Sequence, residues 1–275
     1  MKYPFELLIL LLFVFSSSTF IVAQTPGGGV TDIDGNSYPT TIYGSVEIMA
    51  ENLKTTRYSN GDAIPNVTDF GVWKNLSSGA WCHFSNDPAN DSIYGKLYNG
   101  FVVDDSRNVC PTGWHVADQS EWNDIKNTVG FNPGGAMKST GLSYWQSPNS
   151  GATNTANFNG KGGGRRSSTL DFFNFNEEGR WWSSTPANSV AVYEMILFYN
   201  NTSMTTSSAS NRNNGYAIRC VNDSTILTPI EMPTPKQRTL IKVIDFMGRE
   251  TELKPYTPLI LIYSDGTYEK IIQLK

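Results

Sequence analysis

CPTGWHVADQSEW, residues 110–122, joins a cysteine, a short run of strand-forming residues and the opening of a helix. Asp118 precedes Glu121 by three positions, which is the spacing of a capping box with Asp118 as the N-cap. Apolar residues then recur at helical spacing, at Trp122, Ile125 and Val129. Gly130 follows them as a typical helix stop. The stretch therefore predicts one clear helix, at about 118–129.

The sequence around this helix indicates strands. Asp34-Gly35 and Asn60-Gly61 are typical of tight turns between short strands. The nearly continuous apolar run at 190–199 predicts a central strand, and 215–221 predicts a short strand that closes the domain. LDFFNF and RWWSST, at 170–175 and 180–185, read as the two arms of a hairpin. The sum predicts an α+β fold made mostly of antiparallel strands with one clear helix.

The two ends of the chain differ from its middle. Residues 1–23 begin with an early lysine, continue with an apolar run that is too short to span a membrane, and end in small residues around Ala23. This pattern predicts a secretory signal peptide that is cleaved after Ala23. A main domain follows at 30–222. Three prolines within 223–237 predict an extended linker. Runs of strand-forming residues separated by turn residues predict that 238–275 form a small all-β module.

Composition excludes one class of partner. The formal net charge of the chain is −4, and charged residues make up 17% of it. A nucleic-acid partner is not expected, because such proteins present a basic surface to the phosphates. The short apolar run also predicts no stable membrane span in the mature chain.

The three cysteines are Cys82, Cys110 and Cys220. In an exported protein they allow one disulfide and leave one thiol. Cys110 precedes His115 by five residues, so a nucleophile beside its base has to be considered. Residues five apart in a strand point to opposite faces, and the oxidising compartment favours a disulfide. We therefore interpret the cysteine of the 110–122 stretch as a structural crosslink.

Seven motifs in order resemble one known family, the Fibrobacter succinogenes major paralogous domain. They are DIDGNSYPTTIYG, MAENLKTTRYSNGDAIPNVTD, YGKLYNG, CPTGWHVADQSEW, YWQSPNSGATN, RWWSSTP and GYAIRCV, and they cover about 31–222. Two positions depart from the family pattern. Ile48 stands where a tryptophan is usual, and Gly100 where an aromatic residue is usual.

The resemblance implies a C-type lectin-like fold, which is similar to that of the formylglycine-generating enzyme group. It implies a helix after the first strand pair, a long irregular loop region and a last strand beside the first. Such neighbours would bring Cys110 and Cys220 together as a disulfide. Cys82–Cys110 and Cys82–Cys220 remain open as alternatives.

The C-terminal module is similar to the sorting domains that Bacteroidetes use for type IX secretion. LIKVIDFMGRE and LILIYSDGTYEKIIQLK are the matching residues. The resemblance implies recognition by the type IX secretion machinery and a secreted or outer-surface location. An additional β-hairpin packed on the main domain is the alternative interpretation.

The candidate ligand-binding residues lie in the irregular region at about 143–182. They are Trp145, Asn149, Arg165, Arg166 and Trp182. The tryptophans are candidates for stacking on a sugar, and the two arginines could meet an anionic ligand. Trp181 and Trp182 are adjacent and should face opposite sides of a strand, so at least one of the two should belong to the core.

Metal binding is a weaker interpretation. Asp32, Asp34 and Asn36 offer oxygen ligands of the kind that calcium prefers, but the closing glutamate of the twelve-residue loop is missing. A hairpin turn explains these residues better. We expect no metal site and no cofactor.

These patterns favour a secreted or cell-surface binding or adhesion protein without catalytic activity, which recognises a carbohydrate or a protein ligand through its loops. One alternative is an enzyme related to the formylglycine-generating group, for which Cys82 is the thiol left free by the implied pairing. The other is a structural component of the cell envelope.

Overall fold

The computed structural model describes residues 24–224, 239–264 and 266–272. They fall into two compact units, 24–224 and the two later ranges. The predicted signal peptide at 1–23 and nearly all of the predicted linker at 223–237 lie outside the described residues, so both stay predictions. Within the described ranges, no helix combines the length and the apolar character that crossing a bilayer requires.

Most strands of the first unit are two to four residues long, as the frequent turn residues predict. In chain order they are β1 Thr25–Pro26, β2 Val30–Thr31, β3 Ser37–Tyr38, β4 Thr40–Tyr43, β5 Val46–Met49, β6 Trp81–Cys82, β7 Leu97–Asn99, β8 Trp114–Val116, β9 Arg165–Arg166, β10 Phe172–Phe173, β11 Glu178–Pro186, β12 Ala191–Phe198, β13 Met204–Asn211, β14 Gly215–Tyr216 and β15 Cys220–Asn222. The helices are α1 Phe70–Trp73, α2 Asp91–Tyr94, α3 Gly100–Val103, α4 Gln119–Val129 and α5 Pro133–Met137.

The strands of this unit form several small sheets. Two sheets have five strands each, in the orders β1-β4-β5-β15-β8 and β10-β9-β14-β7-β6. A third joins β11, β12 and β13, with the long apolar strand β12 in the centre as predicted, and β2 and β3 form a hairpin. Every pair of neighbouring strands in these sheets is antiparallel. The prediction of a mostly antiparallel β-rich domain is confirmed.

The predicted helix is α4, which begins and ends where the sequence indicates. The Asp118 side chain accepts from the Glu121 amide, and the Glu121 side chain accepts from the Asp118 amide, each at 2.8 Å. Gly130 ends the helix with φ 73°, a conformation that glycine adopts without steric cost. Trp122 and Ile125 are buried against the core. The other helices of the described residues span at most five residues.

The last strand of the first unit closes the domain. Val221 in β15 pairs with Ile48 in β5, and Cys220 pairs with Val116 in β8. Cys220 also forms a disulfide with Cys110, with the two Cα atoms 5.8 Å apart. The strand beside the first strand pair and the cysteine pairing are those that the family resemblance implied.

The predicted hairpin between 170–175 and 180–185 is wrong. Phe172–Phe173 pairs with Arg165–Arg166, whereas β11 pairs with β12. Close backbone packing explains the change, because an added Cβ at Gly162 would lie 2.9 Å from the Asn176 backbone. The glycine run at 162–164 therefore lets the chain approach itself at the position where a simple hairpin was expected.

The second unit is a three-stranded antiparallel sheet. Its strands are β16 Leu240–Asp245, β17 Pro258–Tyr263 and β18 Tyr268–Ile272, with β17 in the centre. Leu259 is fully buried, while Ile244, Ile260 and Ile262 line an open groove of about 390 Å³. The described part of this unit is thus all-β, with one apolar face open.

We expect the Cys110–Cys220 disulfide to be a major contribution to stability. It closes a loop of 110 residues, for which loop entropy gives about 4–5 kcal/mol. Replacing both cysteines with alanine should lower the free energy of unfolding by a value of that order, measured by urea denaturation.

The matched control is Cys82→Ala, which removes a buried thiol but keeps the crosslink and should cost only about 1 kcal/mol. Alkylation of the denatured, unreduced protein should label one thiol. Labelling of three thiols would contradict the crosslink.

Candidate functional site

A connected group of aromatic rings lies where three separate segments of the first unit meet. We call it the aromatic array, and its members are Phe84, Tyr94, Tyr144, Phe172 and Phe175. Phe175 is exposed, Tyr144 and Phe172 are half-buried, and Phe84 and Tyr94 are buried. The array therefore has a surface layer of three rings that rests on two buried ones.

The rings contact each other in the geometries that aromatic pairs prefer. Phe175 stacks on Phe84 with 4.5 Å between ring centroids and lies edge-on to Tyr94 at 4.9 Å. Tyr94 in turn meets Tyr144 at 6.1 Å, and Phe84 meets Phe172 at 5.4 Å. Each such pair contributes about 0.5–1.5 kcal/mol beyond the area it buries. These contacts hold the surface rings in place.

Left-handed asparagines bring Phe175 to this position. Asn174 and Asn176 on either side of it have φ angles of 59° and 61°, a conformation that asparagine tolerates better than most residues. The Asn176 amide donates to the Gly162 carbonyl at 2.7 Å, and its side-chain oxygen accepts from the Tyr94 hydroxyl at 3.1 Å. Phe175 is thus presented outward on a turn that is fixed on both sides.

Positive side chains border the array. The Lys161 ammonium lies 5.0 Å from the centroid of the Tyr144 ring and donates to the Ile93 carbonyl at 3.1 Å. The Arg165 guanidinium lies 4.2 Å from the centroid of the neighbouring Phe173 ring. Cations on aromatic faces are attracted by the negative ring face. The site therefore combines flat apolar surface with hydrogen-bond donors.

Two of the predicted ligand-binding residues are core residues. Trp145 is 1% exposed, and its indole donates to the Gly160 carbonyl at 2.9 Å. Trp182 is 0% exposed and donates to the Tyr98 carbonyl at 2.7 Å. Trp181, on the opposite face of the strand, is also buried. The stacking role predicted for Trp145 and Trp182 is therefore wrong, because neither ring offers a face to a sugar.

The two predicted arginines bind the protein itself. Arg166 is 0% exposed, donates to the Val67 and Thr68 carbonyls at 2.7 Å each, and forms an ion pair with Asp171 at 2.9 Å. Its guanidinium lies 4.8 Å from the centroid of Phe172, so it supports the array from below. The anion-binding role predicted for Arg166 is excluded in this arrangement by its burial.

Arg165 and Asn149 also contact other groups of the protein. Arg165 forms an ion pair with the buried Glu178 at 3.1 Å. The Asn149 side-chain amide donates to the carbonyls of Ser139 and Gly141 at 3.0 and 2.8 Å. Both residues shape the loops, and of the two only Arg165 is partly exposed, next to the Phe173 ring.

The carboxylates considered as calcium ligands are used in a turn. Asp32 accepts from the Asp34 and Asn36 amides at 3.0 and 2.9 Å and from the Tyr38 hydroxyl at 2.6 Å. Asp34 accepts from the Thr56 amide at 2.6 Å. These bonds fit the hairpin interpretation. Within the described ranges, no group of three or more His, Cys, Asp or Glu side chains is placed to hold a metal ion.

The thiol on which the enzyme alternative depends is inaccessible. Cys82 is free and 0% exposed, and burial raises the pKa of its thiol to about 12. A nucleophilic cysteine needs the opposite, an accessible thiol with a lowered pKa. Cys110 is in the disulfide. Neither cysteine is thus poised for covalent catalysis.

His115 binds two carboxylates on elements that are distant in sequence. Its Nε2 lies 2.9 Å from Glu121 in the capping box, and its Nδ1 contacts Asp223 at the end of the first unit. The hydrogen bond to Glu121, with a further contribution from Asp223, raises the pKa of His115 to about 9 in spite of partial burial. The imidazolium therefore joins the start of α4 to the last residues of the domain.

This contact predicts a pH-dependent contribution to stability. Because the folded pKa exceeds the ordinary value of 6.5, the contribution is complete below that value and is lost as the pH rises through about 9. His115 is partly exposed, so solvent screening limits the effect to about 1 kcal/mol or less. Urea unfolding of the native protein and of His115→Gln should differ at about pH 6 and converge near pH 10. A constant difference across this range would contradict the assignment.

Sequence reasoning missed the array because its members are far apart in the chain. One local signal was available, the NFN triplet at 174–176, in which an aromatic residue stands between two residues that favour turns. The tryptophans attracted attention by their size, but size also favours burial.

Fold and site together define a disulfide-closed, β-rich domain with an aromatic surface on its loops. The chain belongs to the Fibrobacter succinogenes major domain family, whose family model matches residues 42–222. The resemblance seen in the seven motifs is thereby confirmed. Neither the curated proteins nor the solved structures contain a match to the chain.

Proposed function

We propose that this protein is a secreted or outer-surface binding protein that recognises a carbohydrate through the aromatic array, without catalysis. The observation that supports the proposal is the array itself. An exposed phenylalanine and two half-buried aromatic rings each contact a buried aromatic ring.

The surface has the chemistry that sugar recognition requires. Aromatic faces are flat and apolar and complement the apolar side of a pyranose ring, while nearby donors such as Lys161 serve hydroxyl or carboxylate groups. Because Phe84 and Tyr94 already fix the outer rings, little side-chain entropy remains to be lost on binding. Aromatic residues are enriched where proteins bind their partners.

A C-type lectin-like fold for the first unit is part of this proposal. Three features support it: the last strand β15 lies beside β5, α4 follows the first strand pair, and residues 138–164 contain no regular helix or strand. Tyr144 and Lys161, on the border of the array, both belong to that irregular stretch. A ligand site on irregular loops over a rigid β-scaffold is a common arrangement.

Phe175→Ala and Tyr144→Ala test the proposed site. Each variant should weaken binding to the glycans that the native protein retains on a glycan array by about tenfold or more, because truncating a central aromatic contact costs about 1.4 kcal/mol or more. The measurement is a glycan-array screen of the full chain, followed by calorimetry with the ligands found.

Phe131→Ala is the matched control. Phe131 follows α4, is 91% exposed and is not a member of the array, so its loss should leave binding unchanged. An equal loss of glycan binding in all three variants would indicate that the protein binds glycans non-specifically. Retention of protein ligands alone, with no glycan bound, would replace carbohydrate with protein as the ligand class.

We also propose that the second unit directs export through the type IX secretion machinery and places the protein outside the cell. The sequence resemblance of residues 240–250 and 259–275 supports this, together with the separate compact sheet that the described residues of this region form. The open groove lined by Ile244, Ile260 and Ile262 offers such machinery an apolar surface.

Deletion of residues 239–275 tests the export proposal in a host that has this secretion machinery. The truncated protein should accumulate inside the outer membrane, whereas the full chain should reach the medium or the cell surface, as measured by fractionation and immunoblotting. Substitutions confined to the array, such as Phe175→Ala, should be exported normally. Normal export of the truncated chain would contradict the proposal.

A further inference from the structure

An open groove of about 430 Å³ is formed by strands β1 and β4 together with the irregular stretch of the first unit. We call it the asparagine groove, because Asn154, Asn157 and Asn159 line it together with Pro26 and Thr41. The described residues that line it carry no charge. Its volume lies within the range of small-molecule sites, about 300–1,000 Å³. The groove therefore has room for a small ligand and presents no charge to it.

The turn that carries the three asparagines is fixed to strand β4. The Thr41 hydroxyl donates to the Asn157 carbonyl at 3.1 Å, and the Tyr43 hydroxyl donates to the carbonyl of the preceding residue at 2.5 Å. Within the turn, the Asn157 amide donates to the Asn154 carbonyl at 2.9 Å, and the Asn159 amide donates to the Asn154 side-chain oxygen at 2.8 Å. These bonds hold the asparagine side of the groove in place.

Two of the asparagine side chains have no hydrogen-bond partner among the described residues. The backbone of all three has a positive φ, 50° at Asn154, 52° at Asn157 and 55° at Asn159. Glycine adopts this conformation without steric cost, so the turn alone does not require a side chain at these positions. The Asn154 side chain serves the turn, whereas the carboxamides of Asn157 and Asn159 form no hydrogen bond within the described ranges. Each of these two carboxamides offers two donors and an acceptor oxygen to a ligand.

The groove and the aromatic array share the same irregular stretch. Asn159 lines the groove and, together with Lys161, also lines a narrow cleft beside it. The Lys161 ammonium lies 5.0 Å from the ring centroid of Tyr144, a member of the array. The groove and the array are thus linked through neighbouring side chains, and one extended ligand can contact both by passing over the narrow cleft.

We propose that the asparagine groove is a second sugar subsite, which takes a neutral unit of the same glycan that stacks on the aromatic array. This inference rests on the proposed function and names its ligand class, an oligosaccharide rather than a single sugar. A sugar hydroxyl both donates and accepts, as does the carboxamide of Asn157 or Asn159. The proline rings of Pro26 and Pro39 add apolar surface for the carbon atoms of the sugar. A charged group would lose its hydration in the groove without gaining a partner of opposite charge, so a neutral unit is favoured.

The first experiment measures how the affinity of the full chain depends on glycan length. The probes are neutral gluco-, galacto-, manno- and xylo-oligosaccharides of increasing length, with oligogalacturonate as the acidic comparison, on a glycan array and then by calorimetry. In a series that the protein retains, the longer members should bind about tenfold or more tightly than the shortest one, because the second contact becomes intramolecular. Asn157→Gly and Asn159→Gly should each remove most of this gain, since glycine keeps the backbone conformation and deletes only the carboxamide.

Asn132→Gly is the matched control. Asn132 also has a positive φ, 54°, and it lies outside both the groove and the array. This variant should keep the native dependence on glycan length, and thermal unfolding verifies that all three variants are folded. Affinity that does not depend on length, an equal weakening by Asn132→Gly, or a preference for oligogalacturonate overturns the neutral subsite.

The second experiment tests for direct contact in the groove. The side-chain amide NMR signals of Asn157 and Asn159 are identified by their absence from the glycine variants. They should shift when the longest retained oligosaccharide is added and stay unchanged with the shortest one. Shifts of equal size with both, or with neither, overturn the subsite.

The outcomes separate this inference from the proposed function. Loss of binding in Phe175→Ala with no effect of Asn157→Gly or Asn159→Gly supports the array and overturns the groove. Loss of binding in the two glycine variants with no effect of Phe175→Ala supports a sugar site in the groove and contradicts the proposed function. Retention of no glycan by the native chain overturns both.

Discussion

The closing segment at 215–222 is the constraint on which the first unit depends. Its last strand lies between β5 and β8, and its cysteine is crosslinked to Cys110, so two distant parts of the chain are joined by hydrogen bonds and by a covalent bond. One residue earlier, Arg219 donates to the carbonyls of Met49 and Phe158. The same segment therefore also anchors the irregular stretch that forms the border of the array. The segment that closes the domain therefore also positions the stretch beside the array.

The irregular stretch has order without regular secondary structure because its polar groups find specific partners. Lys138 is 0% exposed, and its ammonium donates to the backbone carbonyls of Ser150, Phe198 and Asn201, with the Tyr199 carbonyl 3.5 Å away. A cation placed where carbonyls converge stabilises the loop as a bound ion would, and it satisfies acceptors that burial would otherwise leave unpaired. Asparagines with positive φ make the turns between these anchors. The polar groups of these loops are thereby satisfied without regular secondary structure.

Local signals allowed the sequence to predict α4, the β-rich class and the central strand β12. Long-range partners decided the rest. From the sequence, Trp145 and Trp182 were candidates for stacking on a sugar at the surface. Their burial depends on which elements cover them, and both indoles donate to backbone carbonyls of residues far along the chain. The failed hairpin has the same cause, since Phe172–Phe173 pairs with Arg165–Arg166. The array itself assembles from three segments, and no local period marks residues that meet only after folding.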